Sequence, residues 1–197
     1  LLLAEELKAS KNSQVAFMAM PFNNDPAEPI NQFYQKLSLY FEHYCNLPIR
    51  RIDHPANESN DCINDNMLAK IRMSKCLFAD LSGENQGVYF EAGFAKGLGR
   101  NVFMVCHQDD FETHLVIDAT NAEQTVRKRT RHFDVSTLNT KQYDMDDTTS
   151  AHYYPKTLLS LHSMAYSKGL VAVHPPEDAQ AVLAIIEASE QRNRATP

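Results

Sequence analysis

Apolar positions fall into two rhythms along the chain. Unbroken runs at 15–20 (VAFMAM), 76–81 (CLFADL) and 101–106 (NVFMVC) read as short strands buried on both faces. Between the first two, Ile30, Phe33, Tyr34, Leu37, Tyr40, Phe41 and Tyr44 recur at steps of three and four residues and predict an amphipathic helix over 30–45. Ile63, Met67, Leu68 and Ile71 make a second such stripe, with Asp61 available as its cap. Residues 47–53 read as another strand and 88–98 as a third helix. Strands alternating with helices at this spacing require βαβ crossovers, hence an α/β fold with an open, mainly parallel sheet of about five strands and helices on both faces. The expected type is flavodoxin-like or Rossmann-like, with extra terminal helices.

Beyond Cys106 the rhythm weakens. Residues 114–118 and 131–135 are each candidates for a short strand, and 136–154 reads as polar and irregular. Two terminal helices follow over 155–169 and 176–191, the second opening on Pro176, Glu177 and Asp178, where a helix dipole favours proline and acids. The expected organisation is a helical extension over 1–13, an α/β domain over 14–135, and an irregular segment with C-terminal helices packing on it over 136–197.

A 197-residue chain that is 43% hydrophobic can build one large core. It has no apolar run of transmembrane length, and its first ten residues are too short and acidic for a secretory signal, so a cytoplasmic protein without membrane contact is expected. Because the chain starts at Leu1 rather than at a methionine, it reads as a piece of something longer. The net charge of -6 speaks against a general nucleic-acid surface, leaving the basic run 126–131 as a solvated loop or strand face. Cys45, Cys62, Cys76 and Cys106 lack a CxxC pair and read as reduced core residues, and no HxxxH or HExxH occurs. No metal and no cofactor are expected.

The chemistry concentrates at 79–99, ADLSGENQGVYFEAGFAKGLG. In open parallel sheets ligands collect beyond the carboxyl ends of the strands. Three polar loops there qualify: MPFNNDP, DHPANESND and DLSGENQG. Gly83 and Gly87 let the third loop turn sharply and approach a ligand. Glu91 stands among Val88, Tyr89, Phe90, Ala92, Phe94 and Ala95, where an isolated ionised carboxylate costs several kcal/mol unless hydrogen-bonded or used. Asp80 ends the preceding strand, with Asn85 and Tyr89 between the two. Gly97 and Gly99 read as a helix end, since no strand precedes them as a dinucleotide fingerprint demands.

The run from Ala79 through NVFMV, preceded by a strand, resembles the nucleoside 2-deoxyribosyltransferase superfamily and its nucleotide N-glycosidase and TIR-like relatives. The likeness spans 14–106 and is strongest over 76–106. In that superfamily the glutamate of an E-x-G-x-A helix is the nucleophile, and the matching residues here are Glu91, Gly93 and Ala95. MPFN resembles the first loop, which contacts base and sugar; Phe22 would stack and Asn23 would stand beside it. Where the transferases carry a sugar-binding aspartate six residues before the nucleophile, this chain has Asn85, and Asp80 is the nearest acid able to share that role. Asp65 lies near a further acid position of the family.

The resemblance implies cleavage or transfer at the N-glycosidic bond of a nucleoside or nucleotide. Catalytic candidates are Glu91 and Asp80; binding candidates are Phe22, Asn23, Asn85, Tyr89, Gly83 and Gly87. Tyr89 or Asn85 would hold Glu91 ionised by hydrogen bonding. A non-catalytic nucleotide-sensing or assembly module of the same fold is the alternative, which Asn85 favours. A homo-oligomer is expected from the family and from the two amphipathic terminal helices.

Overall fold

The computed structural model describes residues 12–22, 25–51, 63–111, 115–117, 125–127, 139–146 and 148–195. In chain order the elements are β1 (Ala16–Ala19), α1 (Pro29–His43), β2 (Ile49–Arg50), α2 (Ile63–Met73), β3 (Cys76–Asp80), a 3-10 turn (Ser82–Glu84), α3 (Gln86–Gly97), β4 (Asn101–His107) and a one-turn α4 (Gln108–Phe111). Then come β5 (Leu115–Ile117), β6 (Thr125–Arg127), β7 (Thr140–Tyr143), α5 (Tyr154–Ser167) and α6 (Ala179–Ala195). The expected extension over 1–13, apart from its last two residues, the cap Asp61 and the strand over 131–135 lie outside the described residues.

Five strands form one parallel sheet in the order β2-β1-β3-β4-β7. Side-chain alternation divides its residues between two cores. Ala16, Met18, Cys76, Phe78, Phe103 and Val105 face one side, where α1, α5 and α6 supply Phe33, Leu37, Phe41, Leu158, Leu161, Val182 and Ile186. Phe17, Ala19, Leu77, Ala79, Met104 and Cys106 face the other, under Met67 and Ile71 of α2 and Val88, Ala92 and Ala95 of α3. This two-sided burial is why β1 and β3 are apolar at nearly every position. Each large core side chain contributes about 1.5–3 kcal/mol by leaving water.

The edge strand β7 differs from the expectation, since it arises inside the segment read as irregular. Its sequence TKQY carries no apolar rhythm, and only Tyr143 is buried, because an edge strand needs little more than main-chain pairing to β4. Residues after 135 therefore complete the sheet as well as flank it. The strand expected over 114–118 is β5, which pairs antiparallel with β6; β6 takes in the first two residues of the basic run.

The terminal helices also find their partners within the chain. α5 and α6 pack on each other and on α1, with Lys36 Nζ 2.5 Å from Glu190 Oε1 across the α1–α6 contact. Their apolar faces are thus covered without a second subunit. α6 begins at Ala179, three residues after the expected start at Pro176, with Asp178 Oδ1 accepting from Ala181 N at 2.9 Å as its cap. Cys45, Cys76 and Cys106 are buried and in no disulfide, and burial raises the thiols of Cys45 and Cys76 to about 12. Among the described residues no helix is long and apolar enough to cross a membrane.

Candidate functional site

The strand order reverses direction between β1 and β3, so the chain leaves their carboxyl ends on diverging paths and opens a crevice there. A cleft of about 400 Å3 lies at this edge. Pro21 and Phe22 enter from the loop after β1; Glu28, Pro29 and Ile30 come from the start of α1. Ser82 and Gly83 follow β3; His107, Asp109 and Asp110 end β4 and begin α4, and Tyr143 closes β7. Phe22 is 66% exposed, an aromatic face open to a planar partner.

Asp80 lies beneath this cleft with no exposed surface. Its Oδ1 accepts from Ser82 N at 3.0 Å and Ser82 Oγ at 2.6 Å, and its Oδ2 accepts from Tyr143 Oη at 2.9 Å. Ser82 Oγ in turn accepts from His107 N at 2.8 Å. One carboxyl group thus ties the ends of β3, β4 and β7 together. Burial raises its pKa to about 6, against the pull of the Ser82 and Tyr143 hydrogen bonds and the nearby His107. With both oxygens engaged below the floor, Asp80 shapes the cleft from underneath.

The loop between β3 and α3 is fixed by local chemistry. Gly83 has φ 67, a left-handed conformation that glycine adopts freely, and its N–H donates to Asp110 Oδ2 at 3.0 Å. Asn85 caps α3, its Oδ1 accepting from Gly87 N at 2.9 Å and Val88 N at 3.3 Å. A Cβ on Gly87 would sit 3.0 Å from that oxygen. Gly87 therefore makes room for the cap, while Gly83 lines the cleft. Gly97 is the last residue of α3 and Gly99 has φ 74, the helix end read from the sequence.

Glu91 lies on α3 about a turn and a half from its start, hence roughly 8 Å along the axis from the carboxyl edge of the sheet. Val88, Ala92 and Ala95 seat that helix on the sheet, and Glu91 flanks this buried stripe, itself half-buried. It makes no hydrogen bond or ion pair among the described residues, so neither Asn85 nor Tyr89 holds it. Burial raises its pKa to about 7. Among the described residues no main-chain amide engages this half-buried carboxylate.

The structure brings Phe22 and Gly83 into the cleft and Asp80 beneath it. Glu91, Asn85 and Tyr89 belong to α3 or its cap and are not among the cleft's lining residues. Asn23, together with 52–62 of the second loop, lies outside the described residues; Asp65 falls within α2. Sequence reasoning missed His107, Asp109, Asp110 and Tyr143. Applying the strand-end rule to β4 would have found the first three, whereas Tyr143 sits in a strand that has no apolar signal. His107 Nδ1 accepts from Asp109 N at 3.4 Å, which in the neutral ring leaves the proton on Nε2. Its ring meets Tyr143 edge-on at 5.3 Å. No three His, Cys, Asp or Glu side chains cluster as metal ligands among the described residues.

The family described as nucleoside 2-deoxyribosyltransferase matches this chain over residues 14–150, a span that includes all five strands of the parallel sheet. Among solved structures the chain is similar to a 2-desoxiribosyltransferase from Leishmania mexicana. The identity is 18%, the alignment covers 57% of this chain and 74% of that one, and the TM-score is 0.40. No curated protein matches.

Proposed function

The chain belongs to the nucleoside 2-deoxyribosyltransferase family, and from that premise we propose that it breaks the N-glycosidic bond of a nucleoside or nucleotide with Glu91 as the nucleophile. The observation that carries the reading is the half-buried carboxylate of Glu91, without a hydrogen-bond partner among the described residues, near the carboxyl edge of the sheet. A glutamate that merely capped neighbouring amides would have its oxygens engaged. With a pKa of about 7 it is partly ionised at neutral pH and weakly solvated, which suits attack on carbon.

In the reaction one Glu91 oxygen bonds to the anomeric carbon as the bond from that carbon to the base nitrogen breaks. The electron pair leaves with the base, which is protonated as it departs. Positive charge building on the sugar is met by the carboxylate. Water, or the nitrogen of a second base, then attacks the same carbon, loses a proton, and releases the glutamate. Phe22 offers a stacking surface for the base. Among the described residues the cleft is lined by the acids Glu28, Asp109 and Asp110, which suit sugar hydroxyls as hydrogen-bond acceptors.

A nucleotide-sensing module is the second reading, and one observation favours it. Asn85, where the transferases have aspartate, spends its side-chain oxygen on the α3 cap. The homo-oligomer belongs to the proposal as well; Met73 at the end of α2, 68% exposed, and Phe90 on α3, 58% exposed, are apolar side chains open to a partner.

The test is free-base release from a panel of nucleosides, nucleoside monophosphates and NAD, by the wild type and by Glu91→Ala. Release that falls roughly 10³-fold or more in the variant supports the enzyme. Equal inertness of both proteins, with a nucleotide raising the melting temperature, gives the sensor.

A further inference from the structure

A second polar cavity, of about 310 Å3, opens between the outer edge of β7 and the first turns of α5, and it shares no lining residue with the cleft. Its walls carry Lys141, His152 and Lys156 beside Gln142 and Thr157, and no carboxylate among the described residues. Neither lysine forms an ion pair among the described residues; Lys156 Nζ is steadied instead by the carbonyl of Ser150 at 2.7 Å. Two lysines thus line one concave polar site, and among the described residues no carboxylate there balances them.

The strand contributes donors in the same direction. Along a parallel strand, successive residues turn their main-chain groups to opposite sides. Asp144 donates its N–H to His152 O at 2.8 Å and accepts from Tyr154 N at 3.0 Å, so it faces away from β4, and Gln142 and Thr140 share that parity. Thr157 Oγ1 donates to Gln142 O from the same outer side. The N–H of Gln142 therefore turns outward at this edge. Among the described residues Thr140 Oγ1 and Gln142 Oε1 are buried with no partner, but their register with Met104 and Cys106 turns these side chains to the opposite face of the sheet from Lys141, so what the strand offers the cavity is this main-chain N–H. The positive end of α5 adds to the same field.

We propose that this cavity binds a phosphate group, free or as a small phosphomonoester, with Lys141 and Lys156 as its charge partners. The volume lies at the lower end for small-ligand sites and leaves room for a short organic group. The proposal is independent of the reaction assigned to Glu91.

Isothermal titration with inorganic phosphate and with ribose 5-phosphate, on the wild type, Glu91→Gln and the pair Lys141→Ala with Lys156→Ala, tests it. Saturable binding is expected in the wild type and in Glu91→Gln, weakened about tenfold or more in the lysine pair, and weakened by added salt. Tighter binding of the sugar phosphate identifies a phosphomonoester as the occupant; equal binding identifies the free ion. Circular dichroism verifies that the lysine pair folds, and the single Lys141→Glu repeats the measurement with one surface change. Absence of saturation by either compound up to about 10 mM overturns the site. So does affinity unchanged in the lysine variants.

Discussion

The hydroxyl of Tyr143 donates to Asp80 Oδ2 at 2.9 Å, joining the edge strand β7 to the end of β3 across the intervening β4. The same tyrosine ring stacks on Phe33 of α1, centroids 3.9 Å apart. A single side chain thus sets both the floor of the cleft and the position of α1 beside it. Tyr143→Phe keeps the stack and removes the donor. Leaving an Asp80 oxygen buried without it should cost about 1–3 kcal/mol in urea unfolding, with Phe22 and His107 resonances shifting together.

Asp80 also predicts a pH dependence. Its folded pKa, about 6, is above the ordinary value of 3.8, so the folded chain holds this proton more tightly than the unfolded one. Its contribution is most favourable below about pH 4, declines as pH rises from about 4 to 6, and is flat above. The span is up to about 3 kcal/mol. Asp80→Asn should lack that slope, which then appears as the difference between the wild-type and variant stability curves.

The core histidine titrates with the opposite sign. His162 Nε2 is 2.9 Å from Val173 O, which can only accept, so Nε2 carries the proton and Nδ1 accepts from Tyr40 Oη at 2.7 Å. Burial lowers its pKa from the ordinary 6.5. Stability from this neutral ring is complete above pH 6.5 and is lost as pH falls below it. Tyr40→Phe should cost about 1–2 kcal/mol at pH 8, read by thermal unfolding.

Asn85 separates its two roles under substitution. Asp is as good a helix cap and suits the helix dipole, so Asn85→Asp should keep the melting temperature, whereas Asn85→Ala should cost about 1 kcal/mol. If sugar binding is the missing function, Asn85→Asp lowers the KM for base release. Gly87→Ala should destabilise like the loss of the cap, because its Cβ would meet the Asn85 oxygen at 3.0 Å.

What the sequence reveals follows burial. β1, β3 and β4 lie between two helical layers and must be apolar, so their runs identify strands, and α1 advertises its inward stripe in the same way. β7 has one neighbour and a polar sequence, and its place in the sheet is a long-range pairing that no local pattern records. Site residues divide similarly. Glu91 stands out because it interrupts an apolar helix, whereas Asp80 and His107 matter through partners distant in the chain, Tyr143 and Ser82. The inward faces of α5 and α6 were legible, but their partner was not: α1 and the sheet, rather than another subunit, cover them.

The central claim is a covalent bond between sugar and Glu91, and intact-protein mass spectrometry of an acid-quenched turnover mixture tests it most directly. A mass increase equal to the substrate's sugar, mapped to the peptide containing Glu91 and absent in Glu91→Gln, is the predicted result. Base release by Glu91→Gln at the wild-type rate, or an adduct on another residue, would contradict it.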